Sequence, residues 1–172
     1  KYRNMKEVII FGVKDTAELA HWYLENDSKY NVIAFTVHQK YIEEKSFKGL
    51  PVIAFEILEK NHPPNEVFLF APMTAKKMNK LREKVYLEGK LKGYNFISYI
   101  SSKATVSGNE IGENCFILED NTIQPFTKIG NNVVLWSGNH IGHHGVIEDH
   151  VFFTSQVVMS GHCHIKQYSF FG

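Results

Sequence analysis

Ile111-Gly112-Glu113-Asn114-Cys115-Phe116-Ile117-Leu118-Glu119-Asp120-Asn121-Thr122-Ile123 places an isoleucine at every sixth position, and the beat continues. Counted on in sixes it meets Ile129, Leu135, Ile141, Ile147, Phe153, Met159, Ile165 and Phe171, all large and apolar. A second column runs four residues behind the first: Cys115, Asn121, Thr127, Val133, Asn139, Gly145, Val151, Val157, Cys163 and Ser169. None of these is aromatic, long-chained or charged. A period of six fits neither the 3.6-residue turn of a helix nor the two-residue alternation of a hairpin sheet. It fits a triangular solenoid in which each hexad makes one short strand and one corner. The large residue fills the prism and the small one shares the interior near a corner. Three hexads close a coil, and successive coils pair in parallel.

Upstream of this repeat the pattern changes. Lys6-Glu7-Val8-Ile9-Ile10-Phe11-Gly12 is an apolar run ending in glycine, the signature of a buried strand. Asp15 offers an N-cap for a helix carrying Ala17, Leu19, Ala20 and Leu24. Val32-Ile33-Ala34-Phe35 reads as a second strand, and Leu50-Pro51-Val52-Ile53 as a short extended piece followed by a helical turn or two from Phe55 to Lys60. After the turn His62-Pro63-Pro64-Asn65 comes another strand, Glu66 to Phe70. A helix from Thr74 to Leu87 with a Gly89 stop and the piece Tyr94-Asn95-Phe96-Ile97 complete the unit. Strands alternating with helices predict a small Rossmann-like α/β domain with a parallel sheet over residues 1–97, followed by the solenoid over residues 98–172. The chain begins at Lys1, with Met5 a candidate natural start, and the repeat stops in mid-pattern at Phe171-Gly172, as in a chain cut short.

Composition narrows the function. The 172 residues carry 19 basic and 18 acidic side chains, a formal net charge of +1, without a polybasic run. Nothing here calls for nucleic acid or an anionic membrane as partner. No apolar stretch approaches membrane-spanning length, and no signal peptide is visible. Two cysteines, Cys115 and Cys163, do not make a disulfide scaffold, so a reducing, cytoplasmic setting is the expectation. Six of the nine histidines crowd between His140 and His164.

The layout resembles the left-handed β-helix acyltransferases, and within them the sugar acetyltransferases with a Rossmann-like N-terminal domain. These include sialic-acid O-acetyltransferases and N-acetyltransferases of nucleotide-linked 4-amino sugars. The resemblance covers the whole chain in layout. It is most specific in Ile97-Ser98-Tyr99-Ile100-Ser101-Ser102-Lys103-Ala104 and in Asn139-His140-Ile141-Gly142-His143-His144-Gly145-Val146-Ile147. It implies acetyl-CoA as co-substrate, a nucleotide sugar as acceptor, a homotrimer with active sites between neighbouring prisms, and a role in surface-glycan synthesis. N-acetylation of a nucleotide-linked amino sugar is the leading expectation and O-acetylation of a sugar hydroxyl the alternative.

Acetyl transfer from a thioester needs a base and a donor to the oxyanion. In the resembled family the base stands two residues after the apolar residue of its hexad, which falls on His143. Relatives often carry Asp or Glu directly after it; here that place is His144, leaving Glu148 and Asp149 as local candidates to orient the ring. Three hexads past His143 lies Gly161, where the family places its acetyl-binding amide. His140, facing either the substrate or the trimer interface, and His144 are further substrate-binding candidates, whereas His150, His162 and His164 read as histidines tolerated on solenoid strands. In the α/β domain the first strand–turn–helix of such folds cradles phosphate. Gly12 and Lys14 are candidates for that role, and Thr36 and His38, at the tip of the second strand, for ribose or base. No metal is implied: a γ-carbonic-anhydrase-like site needs two histidines five apart plus one from a neighbouring coil, and the residues five past His140 and His144 are Gly145 and Asp149. A non-catalytic scaffold is the remaining class.

Overall fold

A computed structural model describes residues 5–172, so the start at Lys1 lies outside the described residues. The chain packs as two compact units. One runs to Met73 and resumes at Leu87–Ile97; the other takes Thr74–Tyr86 with Ser98–Gly172.

The first unit is α/β. Strand β1 (Lys6–Phe11), helix α1 (Asp15–Asn26) and β2 (Tyr30–Val37) are followed by β3 (Ser46–Phe47), β4 (Leu50–Ala54), α2 (Leu58–Asn61) and β5 (Phe68–Phe70). Helix α3 (Lys80–Leu91) belongs to this unit only from Leu87 on; its first half counts with the second unit. The sheet order is β3-β4-β2-β1-β5, and every pairing is parallel except β3 with β4. Val8, Ile9 and Ile10 of β1 are wholly buried, as a strand covered on both faces requires. Helix α1 is capped by the backbone of Lys14, with Asp15 as its first residue, so the cap lies one residue before the position expected. Helix α3 begins at Lys80, not Thr74, because Lys77, Met78 and Asn79 hold left-handed backbone. It also runs through Gly89. That glycine is a packing requirement: a Cβ there would stand 2.5 Å from the Phe96 ring. The stop is Gly93, whose φ of +90° favours glycine.

The second unit is a parallel β-helix. Two-residue strands stack into three parallel sheets. One holds Tyr99–Ile100, Phe116–Ile117, Val134–Leu135, Phe152–Phe153 and Phe170–Phe171; the second Thr105–Val106, Thr122–Ile123, His140–Ile141 and Val158–Met159; the third Lys128–Ile129, Val146–Ile147 and His164–Ile165. Both sequence columns point inward. Cys115, Ile117, Ile123, Val133, Leu135, Ile141, Val151 and Phe153 share one core and are wholly buried. Each buried aliphatic side chain contributes on the order of 2 kcal/mol relative to exposure.

Two features escape the count in sixes. The coil begins before Ile111: Ile100 pairs with Ile117 and Val106 with Ile123, seventeen residues apart rather than eighteen. The missing residue is taken out of the turn at Gly108, which bends two residues after the inward Val106; later corners bend three residues after theirs. A phase set at Ile111 therefore lands on Thr105 and Tyr99 and misses the first coil. The second feature is a left-handed column. Asn114, Asp120, Phe126, Asn132, Gly138, His144, His150, Gln156, His162 and Tyr168 all have φ between 53° and 77°. Every hexad turns its corner this way, mostly without glycine.

One corner is covered. Asn114 Nδ2 donates to Asn132 Oδ1 (2.8 Å), Asn132 Nδ2 lies 2.9 Å from His150 Nδ1, and the His150 ring stacks on Tyr168 at 5.5 Å. Over this ladder lies the segment Thr74–Tyr86, anchored by Arg82, which is wholly buried. Its guanidinium donates to the carbonyls of Asn132 (3.0 Å) and Val151 (3.1 Å), to Asn132 Oδ1 (3.2 Å) and to Asn79 Oδ1 (3.0 Å). Burial lowers its pKa to about 10, still above neutrality, so a buried cation is held by neutral dipoles.

Candidate functional site

The corner formed by Phe126, His144 and His162 stands open. His144 and His162 occupy equivalent left-handed positions in successive coils, which sets their rings parallel, 5.1 Å apart and 11° from coplanar. Phe126 lies under His144 at 4.7 Å and is 71% exposed. The ring of His143 stands edge-on to both, at 5.1 Å from His144 and 5.2 Å from His162. Its Nδ1 is 2.9 Å from His144 Nδ1. The His143 N–H donates to Gln124 Oε1 (3.1 Å) and its carbonyl accepts from the His162 N–H (2.8 Å), so the backbone under the ring is held on two coils.

Gly161 lies beneath this ring. A Cβ at Gly161 would be 2.9 Å from His143 Nε2 and Cε1. Gly142, one coil back, is equally constrained, since its Cβ would fall on the backbone of Ser160 and Gly161. Two glycines thus let the coils and the imidazole close up. Among the described residues no protein group accepts the Gly161 N–H.

The other candidates are spread out. His140 is half-buried in a strand paired with Thr122 and Val158. Glu148 and Asp149 do not orient His143. Glu148 takes His164 Nε2 (2.6 Å), Lys166 (3.2 Å) and the Gln167 N–H (3.0 Å), while Asp149 accepts the Asn131 N–H (2.7 Å). His150, expected at the surface, is 6% exposed and belongs to the covered corner. His162, read as a tolerated surface residue, is exposed and stands beside His143. Its signal was available: it lies three hexads past His144, as Gly161 lies past His143.

In the α/β unit, the Gly12 N–H donates to the Thr36 carbonyl (2.9 Å), and the Gly12 φ is +127°. Lys14 is exposed at the start of α1. Thr36 is wholly buried and its hydroxyl donates to the Ile53 carbonyl (2.8 Å), so its side chain is committed inside the sheet. His38 Nε2 is 2.8 Å from Glu88 Oε2, and the pair borders a cavity of about 400 Å³ with Phe55, Glu56, Leu91 and Lys92. No helix of the described residues is long and apolar enough to cross a membrane.

Residues 110–143 match the bacterial transferase hexapeptide family (six repeats). No curated protein matches the chain in sequence. Among solved structures, a mutant perosamine N-acetyltransferase from Caulobacter crescentus, in complex with CoA and GDP-perosamine, superposes with a TM-score of 0.82 at 18% identity, covering 96% of this chain and 77% of that one. The acetyltransferase domain of PglB from Neisseria gonorrhoeae gives 0.74 at 17% identity, over 87% and 71% of the two chains. WeeI from Acinetobacter baumannii gives 0.73 at 18%, over 92% and 74%. Over residues 110–143 the chain thus carries the hexapeptide repeat of that family, and its fold is that of these structures.

Proposed function

We propose that the chain is an acetyl-CoA-dependent N-acetyltransferase that acylates an amino sugar carried on a nucleotide, in the making of surface glycans. The observation that carries this reading is the His143 imidazole lying across Gly161, one coil away, with His144 against its far nitrogen. Transfer needs a base beside an unspent amide, and the closeness of His143 to Gly161 supports that reading.

In the proposed reaction the sugar amine attacks the thioester carbonyl. His143 Nε2 takes the proton, the Gly161 N–H receives the oxyanion, and the tetrahedral intermediate collapses with the coenzyme A thiolate leaving. The 2.9 Å contact between the two Nδ1 atoms gives His144 the role that Asp or Glu plays in relatives. With His143 Nδ1–H donating to His144, the lone pair of His143 lies on Nε2, on the reacting side.

The α/β unit is read as Rossmann-like and as the seat of the nucleotide. Gly12, Lys14 and His38 meet it, while Thr36 acts through the carbonyl that holds the Gly12 turn. His140 is assigned to the sugar. The prism is taken as left-handed and trimeric, with active sites between neighbouring prisms. The test is acetyl transfer from acetyl-CoA to panels of nucleotide-linked amino sugars and hydroxy sugars. Transfer to amines supports the reading, and transfer only to hydroxyls overturns it.

A further inference from the structure

We propose that His143, His144 and His162 form a binding site for a divalent zinc-like cation. One ring nitrogen from each lies within 4.8 Å of the others, and all three side chains are exposed. Zinc holds imidazole at about 2.0–2.1 Å in tetrahedral geometry, which sets ligand nitrogens roughly 3.3 Å apart. The observed span, from 2.9 Å between His143 and His144 up to 4.8 Å, brackets that spacing, and the exposed rings of His144 and His162, stacked at 11°, turn out of their stack to aim both lone pairs at one ion.

The cluster differs from a chance crowd of surface histidines. His144 and His162 spring from left-handed corners locked by the coil, with φ of 53° and 60°. The Phe126 stack and the hydrogen bonds on the His143 backbone fix the rest. No carboxylate takes part; all three donors are imidazoles, which select zinc, cobalt, nickel or copper over magnesium or calcium. Among the described residues no protein group hydrogen-bonds the His162 ring. Three protein ligands leave a fourth position for water. The spacing rule that disfavoured zinc from sequence asked for two histidines five apart plus one from a neighbouring coil, whereas this set joins two adjacent histidines, His143 and His144, to one from the next coil.

A metal held here engages the proposed base, so a bound ion would inhibit acetyl transfer. That consequence rests on the acetyltransferase reading; the binding does not. The test is calorimetric titration of metal-free protein with Zn²⁺, alongside Co²⁺ absorption in the visible. The expected result is one ion per chain, a cobalt spectrum of tetrahedral intensity, and loss of at least about 100-fold in affinity in His162→Asn and in His144→Asn. Asparagine tolerates the left-handed corner, and a thermal unfolding midpoint checks that each variant is folded. His164→Asn, outside the cluster, leaves binding unchanged. Absence of stoichiometric binding, or binding that survives folded His162→Asn and His144→Asn, overturns the proposal. Absence of acetyl transfer by metal-free protein that binds one zinc would instead overturn the proposed function alone.

Discussion

Two corners of the prism repeat the same backbone and carry the same kind of side chain, yet differ in what they can do. His144 and His162 stand at left-handed positions with their rings in solvent, beside His143 and Gly161. His150 stands at the equivalent position of another corner, but the segment around Arg82 covers it. There its nitrogen is spent on Asn132 and its ring on Tyr168. A histidine at a solenoid corner is thus neither catalytic nor structural by virtue of its place in the hexad. What packs over the corner decides.

The comparison breaks most clearly at His143. If the open corner holds the base, His143→Ala loses on the order of 10²–10⁴-fold in acetyl transfer while the unfolding midpoint stays near that of the unmodified chain. Steady-state kinetics with acetyl-CoA would check this; a loss of only a few-fold would remove His143 from the mechanism.

The covered corner should answer in stability instead. Arg82→Leu strips the Asn132 carbonyl of its donor and leaves Asn132 Oδ1 and the Val151 carbonyl with one donor each, from Asn114 and Val134, and is expected to cost about 3 kcal/mol. Denaturant unfolding measures it, and an unchanged midpoint would mean that the segment is not anchored there.

Gly161→Ala sharpens the open corner. The Gly161 backbone is not left-handed, so alanine is tolerated locally, but its Cβ meets the His143 ring at 2.9 Å. Displacing that ring is expected to lower turnover by roughly 10²-fold without unfolding the coil. Full activity would show that the ring position does not matter.

The smallest effect is a pH dependence of the covered corner. Burial pushes the His150 pKa below its usual 6.5, outweighing the Glu83 carboxylate 3.6 Å away. The folded chain therefore binds this proton less readily than the unfolded one. Its contribution is complete above about pH 6.5 and is lost as pH falls through the depressed value. Thermal midpoints at pH 7.5 and 5.5 should diverge in the native chain and converge in His150→Asn. Equal slopes in both would sink the assignment.

The six-residue period, read from the chain alone, was sufficient for the prism, for both inward columns and for the pairing of His143 with Gly161. A parallel coil of constant length turns sequence distance directly into stacking. It failed where that length changes: the shortened turn at Gly108 shifted the first coil out of phase. It was also silent on what lies outside the repeat. Nothing local in Arg82 announces that it buries itself on Asn132, and nothing in Thr36 announces that its hydroxyl turns into the sheet toward Ile53. Nor do Glu148 and Asp149, near His143 in sequence, reveal that they serve His164, Lys166 and Asn131. Periodicity sets which way a side chain leaves the coil. Only tertiary packing settles whether it then meets solvent, a partner or a covering helix, because those contacts come from residues the repeat does not count.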